Sequence, residues 1–156
     1  MKLIKTRLAA MGFLEFAVWG AYLTSLGSFL ARNGLAGQIG WFYAIQGIVS
    51  IFMPALVGIV ADRWIQAQKM LSLCHVIAGS FMIAAGWYAM DAGAGLEFAP
   101  LFTLYTISVA FFMPTIGLSN SVAYTALNKA GLDTVKNFPP IRTLGTVGFI
   151  CAMLFV

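Results

Sequence analysis

The stretch IGWFYAIQGIVSIFMPALVGIVA, residues 39–61, decides the fold, because its 23 residues include no charged side chain. A helix rises about 1.5 Å per residue, so this length crosses the hydrocarbon of a bilayer, about 30 Å thick. The stretch lacks the period-2 alternation of a membrane barrel strand. Four further stretches share its character, at about 8–31, 70–90, 99–124 and 138–156, the last still apolar where the sequence stops. The connections at 32–38, 62–69, 91–98 and 125–137 hold most of the Asp, Asn and Lys. The sequence thus predicts an all-α membrane protein with about five transmembrane helices.

Composition agrees. Of the 156 residues, 61% are hydrophobic and 9% charged, where a soluble domain carries about 25% charged residues. Nine cations and five acids cannot cover a water-soluble globule with this much apolar side chain, and a chain so poor in polar residues does not stay disordered. The net charge of +4 acquires meaning from its distribution. Lys2, Lys5, Arg7, Arg63, Lys69, Lys129 and Lys136 fall on one side of the predicted spans, with Arg32 alone on the other beside Asp91 and Glu97. Basic loops face the cytoplasm, so the N-terminus is expected there, and no nucleic-acid partner is needed to explain the charge. The first span is too long for the apolar region of a signal peptide, which runs about 7–15 residues, and reads as an uncleaved helix. Cys74 and Cys151 lie inside spans and read as buried thiols. No zinc spacing, phosphate-binding glycine loop or nucleophile elbow is present. No metal, cofactor or catalytic residue is expected, and the chain does not read as an enzyme.

The polar residues left inside the spans carry the functional reading. A lone carboxylate at mid-span costs about 2.5–3.5 kcal/mol to insert, so Glu15 must face an interior, pair or be protonated. Trp19 and Tyr22 share its helical face, which suits either a flat polar ligand or a structural hydrogen bond. Arg142 follows Phe138-Pro139-Pro140-Ile141, read as a helix start with the prolines in its first turn. Thr146 and Phe149 lie within about 40° of it on the helical wheel, and Gly145 beside them is expected to leave room. Cation, hydroxyl and ring in a column suit a ligand with carbonyls, hydroxyls and a π face; the bland alternative is an arginine reaching for the headgroups. Tyr43, Gln46, Ser50, Asn120, Ser121 and Tyr124 read as polar residues that hold helices together, and His75 reads as structural.

Gly58-Ile59-Val60-Ala61-Asp62-Arg63 resembles the front half of the Gly-x-x-x-Asp-Arg signature of the major facilitator superfamily, although Trp64-Ile65-Gln66 departs from its back half. Asp62 at a helix end can latch one conformation through a helix N-terminus or an arginine. The segments 14–30, 52–64, 74–75, 112–124, 130–133 and FPPIRTLGTVGFICAM (138–153) occur in an order that closely resembles the bacterial nucleoside:proton symporters. That family has about twelve spans in two six-helix halves, so the resemblance implies that this chain is part of the N-terminal half, with the C-terminal half absent. It implies nucleoside import coupled to protons by alternating access in the bacterial inner membrane. Arg142, Thr146 and Phe149 would meet the nucleoside, with Trp19 and Glu15 nearby and Gly58, Asp62 and Arg63 as the latch. Position 15 is commonly Gln in the family, so Glu15 adds a proton site or alters substrate preference. The implied partners are nucleoside, protons, lipid and the missing half. The alternatives are a related transporter of another polar metabolite, such as a sugar, and a fragment inert by itself.

Overall fold

The computed structural model describes residues 2–156. Its five helices are α1 (Lys2–Arg32), α2 (Ile39–Arg63), α3 (Ala67–Ala92), α4 (Phe98–Lys129) and α5 (Thr134–Phe155), with short 3-10 turns at Ala36–Gln38 and Gly93–Gly95. All five are long and apolar enough to cross a membrane. Each runs past the apolar core read from sequence, because helix ends are set by capping groups rather than by hydropathy.

Two of those ends use one device. After α1, Gly34 takes φ 79° and the Leu35 N–H reaches back to the Leu30 carbonyl at 2.9 Å. After α4, Gly131 takes φ 66° and the Leu132 N–H reaches Leu127 at 3.0 Å. A left-handed residue closing the last turn is nearly free only for glycine. Leu30 and Leu127 are both fully buried.

The start of α5 corrects the sequence reading. Asp133 caps it, its carboxylate accepting from the Val135 N–H at 2.9 Å, and its carbonyl accepts from the Asn137 backbone at 3.0 Å. Pro139 and Pro140 therefore lie inside the helix, and Arg142 stands about two turns in rather than one. The cap starts the helix upstream, and the prolines sit on its outward side, where the carbonyls they leave without donors are not enclosed.

The chain divides into two compact units, and the division falls within α1 and within α4. One unit joins α1 as far as Leu26 to Ser119–Val156. Its apolar cluster is Leu8, Ala123, Leu127 and Ile141, with Met11, Leu132 and Phe138 against it. The other unit is Gly27–Leu118. There Phe42 of α2 is fully buried and meets the rings of Phe98, Phe102 and Tyr105 of α4 at 5.9, 5.3 and 5.2 Å between centroids. The Tyr105 hydroxyl donates to Gln46 Oε1 at 3.1 Å, and Ser108 Oγ donates to the Ala78 carbonyl of α3 at 2.7 Å. His75 Nδ1 lies 2.9 Å from the Leu71 carbonyl of its own helix. Cys74 and Cys151 are free thiols.

Candidate functional site

The first unit gathers most of the polar and aromatic residues singled out from sequence. Its basis is a very close approach of α1 and α5. A Cβ on Gly148 would run into the Phe13 carbonyl, one on Gly20 would stand 2.7 Å from the Phe149 carbonyl, and one on Gly145 would stand 2.9 Å from Phe16 Cδ2. Small residues that let two backbones touch are the usual currency of helix packing in lipid, where burial by itself drives little association. Ile141, Gly145 and Gly148 form the buried stripe of α5. The stripe beside it carries Arg142 and Phe149, both half-buried, and Thr146, which faces outward. The space expected beside Gly145 is filled, by the ring of Phe16.

Rings and cation form a continuous series. Arg142 Cζ lies 4.2 Å from the Phe16 ring centroid. Phe16 meets Trp19 at 5.8 Å, and Trp19 meets Phe149 edge-on at 5.4 Å. Glu15 is 4% exposed, so α1 turns its carboxylate inward. Trp19 Nε1 is buried without a hydrogen-bond partner among the described residues. Arg142 likewise has no hydrogen bond or ion pair to any described residue, so its N–H groups are available. The cavity beside it, touching Gly12, Phe16, Ser119 and Asn120, measures about 10 Å3. That is space for one water at most, where a small-molecule site takes about 300–1,000 Å3. The space beside Arg142 therefore does not by itself enclose a small molecule.

The sequence reading missed Phe16, the residue that touches the arginine. Its signal was the spacing of Gly12, Phe16 and Gly20 at every fourth position of α1, opposite Gly145 and Gly148 of α5. The residues read from sequence as a latch lie in the other unit. Asp62 and Arg63 are exposed at the end of α2, Gly58 is half-buried, and a Cβ at Gly58 would meet nothing within 4 Å among the described residues. Among the described residues no ion pair engages Asp62 or Arg63. Gln46 holds helices together, as described above, and His75 stands edge-on to Phe112 at 6.3 Å. No group of three or more His, Cys, Asp or Glu that could hold a metal occurs among the described residues.

Five helices long and apolar enough to cross a membrane, one of them carrying a half-buried arginine, define a multi-pass membrane protein. Comparison with known proteins gives the family. The model of the nucleoside H+ symporter family matches residues 1–156. The xanthosine permease of Escherichia coli K12 is 42% identical over 153 residues, covering 96% of this chain and 35% of the permease. The nucleoside permease NupG of the same organism is 39% identical over 155 residues, 98% of this chain and 35% of that protein. A crystal structure of the nucleoside transporter NupG superposes with a TM-score of 0.83 at 39% identity, over 96% of this chain and 36% of that one. The chain belongs to the nucleoside H+ symporter family, and its fold is an all-α bundle of the major-facilitator type. It spans about a third of the length of the curated relatives it matches.

Proposed function

We propose that the chain forms part of the N-terminal half of a bacterial nucleoside:proton symporter of the inner membrane, with its N-terminus in the cytoplasm. The observation that carries the reading is Arg142. An arginine in a span is costly, and it is kept where it meets a partner or a ligand; here its N–H groups meet no acceptor among the described residues. In the proposed site Arg142 donates to base carbonyls or ribose hydroxyls. Thr146, facing outward one turn on, adds a hydroxyl, and Phe149 with Trp19 presents aromatic surface to the base. Glu15 supplies an inward carboxylate that serves proton coupling or selects among substrates. Gly58, Asp62 and Arg63 act as the latch between conformations, engaging a partner from the remaining length of the transporter. The work is translocation rather than catalysis, and protons and nucleoside are its cargo.

Two relatives support the choice of cargo, since their names specify a nucleoside and xanthosine. The test is uridine uptake by the full-length transporter carrying Arg142→Ala. Loss of charged hydrogen bonds predicts a fall of at least about tenfold in uptake. Unchanged uptake at unchanged membrane abundance would overturn the role. Competition by unlabelled sugar, with none by unlabelled nucleosides, would overturn the cargo. The 156 residues alone are expected to transport nothing, because alternating access needs a second half to close against; proton-coupled uptake by vesicles holding only this chain would refute that.

A further inference from the structure

We propose that Phe16 is a positioning residue for Arg142, a fixed aromatic platform that holds the guanidinium toward substrate without using any of its donors. The inference deepens the proposed function and rests on Arg142 meeting the nucleoside.

The ring of Phe16 is immobilised from several sides. It is 5% exposed. From α5, the absent side chain of Gly145 admits it so closely that a Cβ there would lie 2.9 Å from Phe16 Cδ2. On its own helix Trp19 leans against it at 59° between ring planes, and Phe149 meets Trp19 edge-on. A ring held this way offers one face to Arg142, whose Cζ stands 4.2 Å from its centroid. That face carries negative charge density, which attracts a cation, and more strongly where water is excluded.

The alternative partner for a membrane arginine is a carboxylate, which takes two N–H groups in a bidentate pair. Such a pair would neutralise the group and spend its donors before substrate arrived. A ring stabilises the charge and spends none. Arg142 is thereby kept oriented and with its full fork of donors, the arrangement that recognises a planar ligand bearing several acceptors. Flexible arginine side chains lose substantial rotamer freedom when a ligand fixes them, and a platform that fixes the side chain beforehand lowers that cost.

The experiment is uridine uptake by the full-length transporter with phenylalanine analogues of one, two and three ring fluorines at position 16. Fluorine withdraws charge from the ring face and barely changes ring shape, so packing stays while attraction for the guanidinium falls. The KM should climb stepwise with fluorination while the maximal rate changes little. Phe16→Leu, which removes the face and keeps apolar bulk, should raise the KM about tenfold. A flat fluorination series overturns the proposal, and so does a Leu variant with the KM of the parent. The outcomes separate the two readings. If Arg142→Ala abolishes uptake while the series is flat, the role of Phe16 falls and the site stands. If Arg142→Ala has no effect, the site itself falls.

Discussion

Between α1 and α5 the backbones touch, with Gly148 under the Phe13 carbonyl and Gly20 under that of Phe149. In the other unit bulk does the same task, with Phe42 meeting three rings of α4 and Ser108 tying α4 to α3. The two designs differ in what they tolerate. A seam of glycines has no side chain to move aside, so it fixes the spacing of two helices to within a fraction of an ångström. A cluster of rings can repack around a change. The cation and its platform are built on the seam, where a fixed distance between Phe16 and Arg142 is useful.

Substitutions can break this contrast, and the largest effect is expected at the seam. Gly148→Ala drives a methyl into backbone that cannot yield, and overpacking of this kind costs about 3 kcal/mol. A fall in the melting temperature of the purified protein in detergent, with loss of monodisperse material, would show it. Next comes Phe42→Ala. In a soluble core such a truncation costs about 3–5 kcal/mol, but lipid is as apolar as the cluster, so about 2 kcal/mol is expected here. If Phe42→Ala proved worse than Gly148→Ala in the same assay, the contrast would be reversed. Ser108→Ala removes one interhelical hydrogen bond, a loss of about 0.6 kcal/mol by membrane precedent, readable as a small shift in an SDS unfolding midpoint. At the bottom stands Gly58→Ala. A Cβ there meets nothing within 4 Å among the described residues, so stability should be unchanged; a large drop would mean that Gly58 packs against something in the intact fold that these helices do not show.

The five spans were legible because hydropathy over some twenty residues is a sum, and a sum is robust to local detail. The start of α5 was not, because two rules competed. Proline suits the first helical turn, but the side chain and carbonyl of Asp133 engage Val135 and Asn137, and the cap settled the boundary. The stripe of Arg142, Thr146 and Phe149 could be placed on one side of a helix from spacing alone. Which residues of α1 stood opposite could not, since nothing local distinguishes Phe16 from the other phenylalanines of its span. Gly145 reads as open space in the sequence, because a sequence shows a missing side chain but not the neighbour that fills the gap. Read together, Gly12, Gly20, Gly145 and Gly148 would have given the seam, and the seam would have given Phe16.

The paired Leu-Gly-Leu endings of α1 and α4 also bear on bilayer thickness. With 31 and 32 residues, these helices are about 46–48 Å long, well beyond a hydrocarbon layer of about 30 Å. A helix end that frays can shorten in a thin membrane and extend in a thick one. These two ends are each closed by a left-handed glycine beyond a fully buried leucine, Leu30 in α1 and Leu127 in α4, so where they end is set by the chain. A change in lipid thickness must then be met by inclination of the helices or by deformation of the lipid around them. For this protein, membrane thickness acts on angle rather than on length.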